Sequence, residues 1–108
     1  MSGLRSRNRG KRGERLFRDV LRSHGFEARR GVQFAGGPDS PDVVCEGLAG
    51  FHFEVKFTER LQLRAAMQQA TLEAGDKIPV VAHKSSRKSW LVVLRADDFL
   101  RLMKESRT

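Results

Sequence analysis

From Phe51 to Phe57 apolar and polar residues alternate without a break. Phe51, Phe53, Val55 and Phe57 fall on one face of an extended segment, and His52, Glu54 and Lys56 on the other. Upstream the period lengthens: Leu16, Phe17, Val20 and Leu21 share one stripe of a helix predicted over 13–24, with Gly25 as its stop. A second helix is predicted from Leu63 to Ala74, with Leu63, Ala66, Met67, Ala70 and Ala74 as its apolar face and Gly75 at its end. Asp97 and Asp98 suit the first turn of a third, short helix that carries Phe99, Leu100 and Met103, because acidic groups complement the helix dipole there. Short apolar runs at 26–32, 42–45, 80–83 after Pro79, and 90–94 predict strands beside the alternating one. Between them lie the turn-rich AGGPDSP, a hairpin around Gly47 and Gly50, and the basic loop KSSRKS. The predicted order is α-β-β-β-α-β-β-α, with no internal repeat or linker.

A chain of 108 residues has room for one small core, so 13–108 is expected to be a single domain. The formal charge of +8 points to a polyanionic partner. Residues 1–12 carry Arg5, Arg7, Arg9, Lys11 and Arg12 and no acid, and are expected to form a flexible basic arm that orders on a phosphate backbone. Arg15, Arg18 and Arg22 extend that charge along the first helix, and Arg29, Arg30, Lys84, Arg87 and Lys88 are further candidates for phosphate contact. Few aromatics lie in these basic stretches, so stacking on single-stranded bases is not favoured. Cys45 cannot pair within the chain and reads as a small buried hydrophobe in a reducing compartment. No stretch approaches the length of a membrane span, and no secretory segment is visible, so a cytoplasmic protein with no membrane partner is expected.

The polar side of 51–57 then carries the chemistry. If the strand opening at Asp42 pairs with it, Asp42 and Glu54 converge beside Lys56. Two bare carboxylates about 4 Å apart repel by about 4 kcal/mol at an effective dielectric near 20, so such a pair calls for a cation. A hard, oxygen-preferring ion such as magnesium meets that need. Glu14 stands at the edge of the buried stripe of the first helix. His52 shares the polar strand face, Asp39 is an alternative acid if the loop register differs, and Gln68 and Gln69 compete for the face of the second helix turned to the site.

These residues resemble the PD-(D/E)-x-K nuclease superfamily, and most of all its small Holliday junction resolvases of archaeal and phage type. Pro41-Asp42 matches the PD element and Glu54-Val55-Lys56 the E-x-K element. Glu14 stands where the family carries a helical acid and Gln69 where many members carry a glutamine, and Ser40 is similar to a loop serine of the resolvases. The resemblance covers roughly 13–94. It implies an α/β, restriction-endonuclease-like core with a central mixed sheet flanked by helices. It implies that Glu14, Asp42, Glu54 and the Val55 carbonyl bind Mg2+, with Mn2+ as a substitute, and that Lys56 and Gln69 position the attacking water. It further implies DNA cleavage to a 5′-phosphate and a 3′-hydroxyl, branched or duplex DNA as partner, a homodimer, no organic cofactor, and a role in recombination and repair in a bacterial or phage-infected cytosol. A general or nicking phage-type endonuclease and a non-catalytic DNA-binding protein of the same fold are the alternatives.

Overall fold

The computed structural model describes residues 2–31 and 42–107, with the side chains of residues 2–7 outside the description. The elements follow the predicted order: α1 (Ser2–Ser23), β1 (Ala28–Arg30), β2 (Val43–Cys45), β3 (Phe51–Phe57), α2 (Leu63–Ala74), β4 (Ile78–Lys84), β5 (Leu91–Val93) and α3 (Ala96–Glu105). The strands form one sheet in the order β1-β2-β3-β4-β5. Neighbours are antiparallel except β3 and β4, which run parallel because α2 carries the chain back between them. The mixed sheet flanked by helices is therefore as expected.

Boundaries differ in instructive places. Helix α1 begins at Ser2, where a flexible arm over 1–12 and a helix starting at Gly13 were expected. Arginine and lysine are good helix formers, no proline interrupts the segment, and Arg9 is anchored: its guanidinium donates to the Phe57 carbonyl at 2.7 Å and lies 4.2 Å from the Phe57 ring centre. Strand β4 is longer than 80–83, because its register with β3 runs from Phe51↔Ile78 to Phe57↔Lys84 and takes in Pro79. A 3-10 turn over Glu46–Leu48 stands in the hairpin between β2 and β3. The C-terminal end of the first predicted strand and the loop with Asp39, Ser40 and Pro41 lie outside the described residues.

The odd and even positions of β3 serve different layers. On one sheet face α1 buries Phe17 and Leu21 against Ala28, Val43, Cys45, Phe53, Val55, Val80 and Ala82. Phe17 stacks at a tilt on Phe53 and Trp90, at 5.5 and 5.1 Å between ring centres. On the other face the small side chains Ala66 and Ala70 bring α2 down onto Val81. That helix covers the even face of β3, so His52 and Glu54 are buried polar residues rather than a solvated strand face. Asp98, expected merely to complement the α3 dipole, is also buried and is held by Arg95 at 2.7 Å and Arg101 at 3.1 Å.

Helix α1 ends in a tight reversal at Gly25 (φ +90°), where Gly25 N–H donates to Arg22 and Phe26 N–H to Leu21. Its close approach to β3 is fixed at Gly13, where an added Cβ would meet Phe57 Cβ at 2.7 Å. Gly13→Ala must therefore push α1 off the sheet, with an expected loss of about 1–3 kcal/mol in thermal or denaturant unfolding. Gly10→Ala, with nothing within 4 Å of the new methyl, should be neutral to stabilising. Equal stability of the two variants would contradict this packing.

Candidate active site

Asp42 stands just before β2, whose Val43 pairs with Phe53 of β3. Its N–H donates to the Phe53 carbonyl at 3.1 Å, and its carboxylate Oδ2 accepts the Val55 N–H at 2.8 Å. The side chain thus satisfies a strand N–H beyond the end of β2, which fixes the carboxylate against β3 beside Glu54. Val55 enters the site through that N–H. Lys56, next on the polar face, donates from Nζ to Gln69 Oε1 of α2 at 3.2 Å, and Gln69 Nε2 donates to Glu73 Oε1 at 3.3 Å. This distinguishes Gln69 from Gln68 as the residue turned to the site. Glu14 reaches the group from α1 and accepts a hydrogen bond from Arg30 Nε at 3.0 Å.

Glu14, Asp42, Glu54, Lys56 and Gln69 are therefore brought together, and the three carboxyls are all shifted upward despite the cations beside them. Burial raises the Asp42 pKa first and the Glu54 charge second; the Val55 hydrogen bond and Lys56 oppose them, and the outcome is about 7. Glu54 is likewise pushed up to about 7, by burial and then by the Glu73 carboxyl, against the pull of Asp42 and Lys56. Glu14 is raised by burial, with Arg30 pulling it down and Asp42 adding to the rise. Glu54 Oε1 is buried and has no hydrogen-bond partner among the described residues. Two buried carboxyls that are each about half protonated at pH 7, converging beside a third acid, are a donor set that fits a hard dication. A cleft of about 240 Å³ opens beside Lys56 and Gln69, and Thr58, Arg60 and Gln62 also line it.

Glu73 was not foreseen. It follows Gln69 by one helical turn, and its Oε2 lies 3.7 Å from His52 Nε2, which is also 3.7 Å from Glu54 Oε1. The spacing Gln69-x-x-x-Glu73 puts both on one side of α2, next to the buried alanine row, and that was the available signal. Arg60, four residues after the E-x-K element, was also passed over.

The expected phosphate contacts divide. Lys11, Arg12, Arg15, Arg29, Arg87 and Lys88 are exposed. Arg9 also pairs with Glu59 at 3.0 Å, Arg18 with Asp19 at 2.9 Å, Arg30 with Glu14, and Arg22 donates to the Ala28 carbonyl. Lys84 donates to the Ser85 carbonyl. The side chains of Arg5 and Arg7 lie outside the described residues. Among the described residues no helix is long and apolar enough to cross a membrane.

No family model and no curated protein matches the chain. A solved structure does: Hjc of Archaeoglobus fulgidus, a Holliday junction resolvase from an archaeal hyperthermophile, is 29% identical with a TM-score of 0.57, over 79% of this chain and 71% of that one. The chain has a resolvase-like nuclease fold. In that resolvase-like frame the paired β2 start and β3, with α2 above them, hold the acidic group at the end of the sheet's antiparallel-to-parallel switch.

The raised Asp42 value has a sign that can be measured. Its folded pKa of about 7 lies above the ordinary 3.8, so the folded chain holds a proton that the unfolded chain has released between those values. The stability linked to that proton is complete at low pH and is lost as pH rises through about 7. His52, whose pKa burial lowers, acts in the opposite sense. Subtraction cancels the groups that do not interact with Asp42: without divalent metal, the Tm of Asp42→Asn minus that of the wild type should increase by several degrees between pH 6 and 8. A constant difference would contradict the assignment.

Proposed function

We propose that the chain is a metal-dependent DNA endonuclease that resolves four-way junctions. The convergence of Asp42, Glu54 and Lys56 within a resolvase-like fold carries this reading. Asp42, Glu54 and the Val55 carbonyl would hold the ion, with Glu14 completing the shell directly or through water. Magnesium, or manganese in its place, supplies neutralisation of phosphate charge and a water of lowered pKa when bound there. The chain's own part is to position the reactants. Asp42 is kept in place by the Val55 N–H, and Arg30 steers Glu14. The Lys56 ammonium, restrained by Gln69, faces the cleft where it can orient the attacking water and stabilise charge on the scissile phosphate. Asp42 and Glu54 are themselves buried, which strengthens the interactions made at those two carboxyls. In-line attack then leaves a 5′-phosphate and a 3′-hydroxyl.

Binding and chemistry use different groups. The exposed Lys11, Arg12, Arg15, Arg29, Arg87 and Lys88, with Arg5 and Arg7 in the same basic segment, would contact phosphates, and Arg60 lies at the cleft itself. With six to ten such contacts, affinity should fall by about three to five orders of magnitude between low and moderate salt. Two symmetric cuts need two sites, and a second copy of the chain fits the apolar surface of Leu91, Val92, Phe99, Leu100 and Met103 on edge strand β5 and α3. Met67 and Trp90 are not part of that surface, since they pack against the core.

The deciding experiment compares a labelled four-way junction with matched linear duplex, with magnesium or chelator. Symmetric, magnesium-dependent junction cuts are expected. Asp42→Asn and Glu54→Gln should each lower cleavage by at least about a thousandfold, using rate losses at other electrostatic catalytic sites as the scale, with binding retained. Equal cutting of duplex would make the protein a general or nicking endonuclease, and tight binding without cutting would leave a non-catalytic DNA-binding protein.

A further inference from the structure

On the α2 side of Glu54, away from the Val55 hydrogen bond to Asp42, three potential ligands meet. His52 Nε2 lies 3.7 Å from Glu54 Oε1 and 3.7 Å from Glu73 Oε2, and one donor atom from each of the three residues falls within 4.8 Å of the others. His52 is 2% exposed and Glu54 4%. Neither His52 Nε2 nor Glu54 Oε1 has a hydrogen-bond partner among the described residues. At 3.7 Å the imidazole is too far from either carboxylate for a direct hydrogen bond. Two neighbouring orphaned polar atoms in a buried position are costly unless something sits between them.

The spacing suits an ion. Bonds of about 2.0–2.2 Å in tetrahedral geometry set ligand atoms about 3.3–3.6 Å apart, so a small contraction closes the group around a metal. Glu73 has the freedom to make that adjustment, because its side chain is partly exposed on a helix surface. The donor chemistry also differs from that of the Asp42 side. An imidazole nitrogen with two carboxylates favours first-row transition dications, whereas magnesium prefers oxygen alone.

We propose that His52, Glu54 and Glu73 form a second cation site, selective for a first-row transition dication of the zinc class, with Glu54 shared between it and the Asp42 side. An ion there fixes the Glu54 carboxylate from behind and ties α2 to β3. It also engages the partner of Gln69, so its occupancy reaches Lys56 through the chain Glu73, Gln69, Lys56. The site stands apart from the nuclease reading, since its ligands are complete without Asp42 or Glu14 and its readout needs no DNA.

Cobalt(II) is the probe, titrated into the folded protein under excess magnesium and followed by its visible absorption and by paramagnetic effects on the histidine ring resonances. Wild type and Asp42→Asn should both bind one equivalent, displaced by zinc, with His52 perturbed and exposed His24 unaffected. Glu73→Gln should bind more weakly by about tenfold or more, and His52→Gln likewise. If His52→Gln does not fold, Glu73→Gln carries the test, because Glu73 is partly exposed. A signal lost in Asp42→Asn but kept in Glu73→Gln would overturn the proposal by assigning the ion to the Asp42 side. Absence of cobalt binding by folded wild type, or perturbation of His24 or His83 alone, would overturn it too. Magnesium-dependent DNA cleavage, assayed separately, tells failure of this site from failure of the nuclease reading.

Discussion

Burying Asp42 and Glu54 side by side is the constraint around which the molecule is arranged. Each carboxyl is raised to about 7 by loss of water, with Glu54 adding to the rise at Asp42 and Glu73 to the rise at Glu54. A scaffold concerned only with stability would not keep such a pair, since removing charges from water is costly and like charges add to it. The cost is offset locally by the Val55 N–H and by Lys56, and a bound cation would offset more of it. The surrounding structure keeps the two groups from separating: the β2 to β3 pairing sets the position of Asp42, and α2 closes over Glu54.

The layers divide this task. The α1 side of the sheet holds the aromatic and branched core, with Phe17, Phe53 and Trp90 in contact, and Gly13 allows the helix to sit against Phe57. The α2 side has a smaller apolar cluster, Ala66, Ala70 and Val81 with Leu61, Met67 and Val93 at its edge, and His52, Glu54 and the Lys56–Gln69–Glu73 chain lie beside it. Stability is concentrated on one face so that the other can carry unfavourable chemistry. The parallel β3 to β4 pair, linked by α2, joins both faces.

Much of this was legible from the residues because the periods were clean. Strict alternation over 51–57 fixed β3 to the residue, and the alanine spacing with Gly75 did the same for α2. The convergence of the candidate residues was legible because Asp42 stands at the start of a strand and Glu54 and Lys56 share a strand face. What escaped were features set by tertiary contact. The helical path of the N-terminal segment depends on Arg9 reaching Phe57 and Glu59, residues far away in sequence. The burial of the even β3 face depends on how closely α2 lies, and Glu73 gains its meaning only from His52 and Glu54 across that gap. The capture of Arg30 by Glu14 and of Asp98 by two arginines likewise turns surface-looking charges into fixed structural ones.

The central claim is that the Asp42–Glu54 pair exchanges protons for a cation. It is tested most directly by calorimetric titration of magnesium at pH 7 in buffers of different ionisation enthalpy, which counts the protons released on binding. With both groups near 7, release of about one proton per ion is expected, falling toward zero by pH 9. Binding without proton release at pH 7, or no difference between wild type and Asp42→Asn, would contradict the account.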